Sequence, residues 1–467
     1  REGLQRAVGL DAGDAVPALI TALSDKTVEV RFLAAGTLKI IGQAAAAAVP
    51  SLSQALGDTS WHVRHAAAEA LKAIGKDAAG AVPALIEALG DENAEVRFFA
   101  AGALKAIGGG AAKALPRLIE GMTKEAEQMR QACAEAAAAI CVDAGAVTVP
   151  VLIEALGSEN PEVRRLAVTA LKQLKRDGVS AVPHLIACLA SDDQAFRKAA
   201  ADALAAIGQA ASEETVPQLA DALGSSNVEV RFLAAGALKT IGKGAVAAVP
   251  ALSGALADKD SGVRFLAAGA LGSLGVHAVP AVPALTTALG DENVEVRFLV
   301  AGALQATGRA AAPAVPALGK ALGDSSPHVR RAVAGALKAV GPAAAAAVNE
   351  LIAALQDENA QVRHLAVGAL SAGGEGATPA LPALVSALGD SDPATSEAAA
   401  EAVVAVSVAA GAAATPALVA ALGEGDATTR RLAVETLAQL GPRAAAAVAA
   451  LAGALGDPEA AVRRGAA

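Results

Sequence analysis

Proline returns along this 467-residue chain in steps of 33 or 34: Pro17, Pro50, Pro83, Pro116, Pro150, Pro183, Pro217, Pro250, Pro283, Pro316, Pro382 and Pro416, with Asn349 in the slot between the last two but one. A second series runs behind it: Arg31, Arg64, Arg97, Arg130, Arg164, Arg197, Arg231, Arg264, Arg297, Arg330, Arg363, Arg430 and Arg463, broken once by Ser396. Ala449 takes the final proline slot, so fourteen units fit the chain. A unit of this size cannot bury an apolar face by itself. Units with a common period do so by stacking, and each one touches its neighbours in turn.

The spacing predicts two helices per unit. Proline suits the first turn of helix A, where its missing N–H has no partner, and "AVPALIEALG" then closes on Gly90. Helix B opens at the residue four before the arginine, which is Thr27, Ser60, Asn93, Asn160, Asp193, Asn227, Asp260, Asn293, Ser326, Asn359, Asp392 or Asp426 in twelve units, all good N-caps. It ends on glycine, as at Gly42, Gly75, Gly108, Gly242 and Gly341. In unit 3 the residues Val96, Phe99, Ala100, Ala103, Leu104 and Ile107 share one helical face, which predicts the core side. Phe98, Gly102 and Lys105 face the opposite way.

The stretch "LGDENAEVRFFAAGALKAIG", with Asp91 six residues before Arg97, resembles the HEAT repeat, and in particular the bacterial HEAT-like form also found in phycobilisome lyases. The resemblance covers almost the whole chain. It implies an all-α, right-handed α-solenoid of about fourteen helical hairpins, a single array over residues 1–467. "REGLQRAVGL" reads as an incomplete unit at 1–12 and "AAVRRGAA" as one cut short at 467, as in a piece of a longer protein. The resemblance also implies a hydrogen-bonded ladder between neighbouring repeats, built from Asp25, Asp58, Asp91, Asp258, Asp291, Asp324 and Asp357 with Arg31, Arg64, Arg97, Arg264, Arg297, Arg330 and Arg363. Lys124, Ser158, Ser191 and Ser225 stand where repeats 4–7 should carry aspartate. With the 34-residue steps, this marks 116–217 as an irregular, hinge-like region.

The resemblance places helix B on the concave side of the solenoid. Phe32, Phe98, Phe232, Phe265 and Phe298 then enter the groove, each with a glycine four residues on, and Lys39, Lys72, Lys105 and Lys239 line the same strip. Glycine there costs roughly 1 kcal/mol of helix stability against alanine, so it must clear space for the ring or for a bound segment. The expected partner is one or more proteins, docking as a helix or an extended segment, with Phe232, Phe265 and Phe298 as the main row. Repeats 1–3 match repeats 7–9 at an offset of 200, the trace of a duplicated six-repeat block.

Chemistry is sparse. There is no phosphate-loop, HExxH, GxSxG or CxxC motif, and no cofactor is expected. "GGGAAK" at 108–113 reads as a turn with extra glycine, against a phosphate cradle. His62 and His65 lack a third ligand for a metal. Cys133, Cys141 and Cys188 read as buried small hydrophobes, and free thiols suit a reducing compartment such as the cytoplasm. A formal charge of −9 argues against nucleic acid, and the uncharged run 402–423 carries glycine and proline where every other repeat turns, against a membrane span. The sequence therefore points to a non-catalytic protein-binding scaffold. The alternative, from the lyase resemblance, is an enzyme or accessory subunit in pigment or cofactor attachment.

Overall fold

The computed structural model describes residues 12–467; the partial repeat read from 1–12 lies almost wholly outside them. Every regular element among the described residues is an α-helix or a 3-10 helix. The chain divides into two compact units, residues 1–218 and 219–467. In the first, the B helices Val28–Ile41, Trp61–Ile74, Ala94–Ile107, Glu127–Ala144, Pro161–Leu174 and Gln194–Ala210 each pack on the next. In the second, a row of B helices runs likewise from Val228–Ile241 through Ser261–Leu274, Val294–Thr307, Pro327–Val340, Ala360–Ala372, Pro393–Ala410 and Ala427–Leu440 to Ala460–Ala466. An A helix, in most repeats seven residues long, precedes each of them.

Local chemistry sets the B helices. The Asn93 side chain accepts hydrogen bonds from the N–H groups of Glu95 and Val96, satisfying donors that the helix cannot. Thr27, Ser60 and Ser326 occupy the same position without a side-chain cap bond. There the aspartate two residues earlier accepts the cap residue's own N–H, as Asp58 does from Ser60 at 2.8 Å. At the far end Gly108 takes φ 69°, a conformation that costs glycine little. Among the described residues, Lys175 is the only non-glycine residue with a positive φ, at 50°. The buried face of this helix is Val96, Ala100, Ala101, Ala103, Leu104 and Ile107, while Phe99 is half-buried at its edge.

The joint between hairpins is not a plain turn. In most repeats seven residues, such as Gly42–Ala48, form a 3-10 helix leading straight into helix A. With three residues per turn, every third side chain stacks on one face. Ala45 and Ala48 are both fully buried there, and Ala78 with Ala81 and Ala311 with Ala314 repeat the pattern. Alanine at this spacing lets the segment lie close against its neighbours. Helix A also stops earlier than its sequence suggests: Val82–Ala88 ends before Gly90, because the last turn tightens into i→i+3 bonds such as Gly90 N–H to Glu87 O at 2.9 Å.

Two of the three 34-residue repeats absorb their extra residue at this joint. In the third, repeat 6, the 3-10 segment is gone, and helix B Gln194–Ala210 is followed after Ala211 by helix A from Ser212. In repeat 4 helix B lengthens to 18 residues, Glu127–Ala144, and the 3-10 segment shrinks to four, Gly145–Thr148. Repeat 12 does the same with Pro393–Ala410 and Gly411–Ala414. The α-helix rises about 1.5 Å per residue and the 3-10 helix about 2.0 Å, so both versions span about 35 Å.

Among the described residues, six continuous helical runs, including Val28–Ala55 and Pro393–Glu424, have the length and hydropathy of a membrane span. Each joins helix B, the joint and the next helix A. The run 402–423 turns at Gly411, where φ is 60°.

Candidate functional site: the helix-B face and its ladders

One ladder ties repeats through the loop before helix B. The Arg297 Nε donates to Asp324 Oδ2 at 2.6 Å and Nη2 to Oδ1 at 3.0 Å, while Nη1 reaches back to the Asp291 and Glu292 carbonyls at 2.9 and 3.2 Å. Asp324 accepts the Ser326 N–H as well. Each rung therefore clamps an arginine's own loop and grips the aspartate 27 residues on. The same bidentate pair forms for Arg31–Asp58, Arg64–Asp91, Arg231–Asp258, Arg264–Asp291, Arg330–Asp357, Arg363–Asp390 and Arg430–Asp457. Asp25, in the first described repeat, holds the Thr27 N–H.

The pairing sets the charges. The Arg31 hydrogen bond holds Asp58 below the ordinary carboxylate value, outweighing the opposing effect of burial, and Asp258, Asp390 and Asp457 are lowered by their arginines in the same way. Burial is the largest influence on Asp91, Asp324 and Asp357 and pushes upward. Their arginines and backbone N–H donors together still bring the net shift down.

Where aspartate is missing the ladder improvises. Arg97 meets Glu125, the neighbour of Lys124, at 3.2 Å, and its Nε is left buried without a partner. Arg164 approaches Asp193 at 3.7 Å. Arg130 turns back to Glu127 of its own helix, and Ser158 in the facing slot accepts the Asn160 N–H. Ser396 donates its hydroxyl to Leu388 O.

A second ladder runs across the B-helix face. Six repeats carry lysine in the last turn of helix B, and each lysine addresses the residue 30 positions on. Lys39 pairs with Glu69 at 2.6 Å, Lys105 with Glu135 at 2.9 Å and Lys172 with Asp202 at 3.5 Å. Lys72, Lys239 and Lys338 meet Gly102, Gly269 and Gly368 instead. A Cβ on Gly269 would stand 3.2 Å from the Lys239 Cε, and one on Gly368 would stand 2.9 Å from the Lys338 Cδ. These glycines thus receive the preceding repeat's lysine stem. That corrects the expectation that they clear room for the phenylalanine four residues earlier: nothing lies within 4 Å of a Cβ on Gly36 or Gly302, and Gly236 has only Leu266 at 3.7 Å.

The phenylalanines lie where this face is open. Phe32, Phe98 and Phe232 are 40, 43 and 38% exposed, and Phe265 and Phe298 are half-buried. Phe265 lies under the Lys239 ammonium, 5.5 Å from the ring centroid. The Phe232 ring lies over Gly262, where a Cβ would come within 3.0 Å of it.

In the first unit the rings gather into a chain that the sequence did not disclose. Phe32 meets His62 edge-on at 6.3 Å, Trp61 stacks on His62 at 3.8 Å, and His65 stands edge-on to Phe99 at 4.5 Å. Phe99 then meets Phe98 at 5.5 Å and lies under the Lys72 ammonium. Both imidazoles of the conceivable metal pair are thus engaged with aromatic rings.

Beside Phe98 the surface sinks into an open hollow of about 1060 Å³, walled by helices B of repeats 2–4. A second, of about 670 Å³, lies in the other unit beside Phe298. They share seven positions at an offset of 200, as the duplication requires: Phe98 with Phe298, Phe99 with Leu299, Gly102 with Gly302, Lys105 with Gln305, Gln131 with Arg331, Ala132 with Ala332, and Glu135 with Gly335.

The glycine-rich turn holds an anion of its own. Gly109 N–H donates to Asp143 Oδ2 at 2.7 Å, and a Cβ on Gly109 would lie 2.9 Å from the Asp143 carbonyl. Cys133 and Cys141 are buried, which pushes each thiol up to about 11, so neither is a ready nucleophile.

Hairpins stacked B helix on B helix and clamped through equivalent loops define an α-solenoid repeat protein. The family model for HEAT repeats matches residues 3–72, 49–138, 149–239, 182–272, 216–297, 282–370 and 348–427, and the chain belongs to the HEAT-repeat family. No curated protein matches it. Among solved structures it is similar to an engineered protein, at 24% identity over 85% of this chain and 99% of that one, with a TM-score of 0.40. It is also similar to Kap95p in a structure concerned with RanGDP, at 16% identity over 100% and 78% with a TM-score of 0.41. Importin beta gives 16% over 97% and 73%, at 0.40.

Proposed function

We propose that this chain is a non-catalytic scaffold that binds a partner protein along the faces of its B helices. The observation that carries the reading is the exposure of Phe32, Phe98 and Phe232 on that face while small aliphatic residues fill the core behind it. Rings left partly in water in equivalent positions add nothing to a spacer, whereas they suit the apolar side of a docked helix or extended segment. Phe232, Phe265 and Phe298 occupy that position in three consecutive repeats of the second unit, about 10 Å apart at ordinary helix spacing. The lysines beside them, Lys39, Lys72, Lys105 and Lys239, form the polar margin.

The test begins with a partner identified by affinity purification and mass spectrometry. Changing Phe232, Phe265 and Phe298 together to serine should abolish its binding and leave helicity and melting almost unaltered. A variant that melts markedly earlier and still binds would show that the rings belong to the core. The same reading keeps the six apolar runs inside the stack, in a compartment where thiols stay reduced. Recovery of the protein in the membrane pellet after alkaline extraction would contradict it.

A further inference from the structure

The hollow beside Phe98 combines an open ring with a cation that the protein leaves unneutralised. Of the six lysines on the B-helix face, Lys39, Lys105 and Lys172 have a carboxylate in the next repeat. Lys72 has Gly102 in that place, so its stem lies over bare helix backbone with its ammonium 5.5 Å from the centre of the Phe99 ring. A glutamate at 102 would have closed this gap as Glu69 and Glu135 close theirs. The wall carries Lys72, Arg97 and Lys105 against Glu95 and Glu135. Arg97 is taken by Glu125 and Lys105 by Glu135, while Glu95 lies in the first turn of its helix, where a negative charge answers the helix terminus. Lys72 is left as the surplus cation, within a chain whose formal charge is −9. Phe98, 43% exposed, stands one helical turn from Gly102.

We infer that this hollow receives an acidic segment of a partner protein, which places a carboxylate on Lys72 and an apolar side chain against Phe98. The inference rests on the docking role proposed above and assigns it a location and a charge. An ammonium over an aromatic face is already partly desolvated, so a carboxylate that reaches it gains more than at an open surface. The duplicated hollow serves as an internal contrast. Gln305 and Gly335 replace Lys105 and Glu135 there, and the counterpart of Lys72 is Gly272. The cation in its wall is instead Arg331, which donates to the Gln361 side-chain oxygen at 3.0 Å, so no ammonium lies over a ring as that of Lys72 does.

The experiment uses the full chain and fluorescence anisotropy with a labelled peptide alternating glutamate and phenylalanine, beside the same peptide with lysine for glutamate. The acidic peptide should bind at least about tenfold more tightly, and the preference should shrink with salt. Lys72→Gln and Gly102→Glu should each weaken it about tenfold. Gly102→Glu supplies the missing internal carboxylate, so its melting temperature should stay level or rise. Equal affinity for the two peptides, or acidic binding untouched by Gly102→Glu, overturns the inference. So does equally tight binding of a single-stranded oligonucleotide. If acidic binding survives Gly102→Glu but is lost when Phe232, Phe265 and Phe298 become serine, docking on the B-helix face stands and its assignment to this hollow falls.

Discussion

Replacing Arg297 with alanine removes one rung of the loop ladder and nothing else from the core. Two charge-assisted bonds to Asp324 and two to loop carbonyls disappear, at 2.6, 3.0, 2.9 and 3.2 Å. Asp324, whose side chain is only 8% exposed, keeps the Ser326 N–H but loses its counter-charge. A hydrogen bond to a charged group contributes about 1.5–3 kcal/mol, and stranding a buried partner costs a similar amount. Arg297 is 16% exposed, so water replaces part of the loss, and the expected cost is about 2–3 kcal/mol. In a solenoid that cost falls on one junction, between repeats 9 and 10. Urea unfolding and hydrogen exchange should both register it. Arg297→Lys should recover only part, because a point charge cannot make the two-pronged contact. Arg130→Ala is the control: its side chain pairs with Glu127 in its own helix and donates to one loop carbonyl, Glu125 O at 3.0 Å, with no aspartate in the ladder slot of the next repeat. Its loss should cost less than about 1 kcal/mol. An unchanged midpoint for Arg297→Ala, or equal losses for the two arginines, would mean that the series is only a charged surface.

The ladder also gives a pH dependence. Asp58, Asp258 and Asp390 are lowered from an ordinary value of 3.8, so the stability they contribute is present above that value and is lost as pH falls through their depressed values; equilibrium unfolding should show a cooperative loss beginning below about pH 4 and flat behaviour from there to neutrality. Gly109→Ala would force a methyl group to 2.9 Å from the Asp143 carbonyl and should lower stability by about 1–3 kcal/mol, read from the melting midpoint. Amide exchange should be faster at the junctions of repeats 4 with 5 and 12 with 13, which lack a bidentate rung; protection there equal to that around Arg297 would remove the idea.

Much of the fold was legible because it rests on chemistry that few residues can supply. Proline at the start of helix A, a capping residue before helix B and glycine after it each mark a boundary directly. The 3-10 joint was not legible, since in "GQAAAAA" the buried Ala45 and Ala48 and the other alanines are the same letter. Asp390 was missed because its own repeat lacks the arginine that flags the others. Counting 27 residues on from Arg363, rather than six back from an arginine, finds it. Glu125 escaped because a carboxylate one position away from its slot can swing into place only once the loop geometry is known. The lysine contacts needed the rotation of one repeat against the next, which fixes position 30 as the one addressed. The phenylalanine row could be read as surface from the sequence, but the gathering of Trp61, His62 and His65 beside Phe98 and Phe99 could not.

The joint before helix A changes how such an array can vary over descent. Trading four α-helical residues against three 3-10 residues leaves the distance across the joint unaltered, as repeats 3 and 4 show side by side. A single-codon insertion at this point is therefore taken up where it occurs, and the units before and after keep their registration. Elsewhere in helix B the same insertion would rotate every later side chain by about 100° and bring polar residues into the core. The joint works as a vernier between two helical pitches, so lengths of 33 and 34 can alternate within one array without a penalty carried to their neighbours.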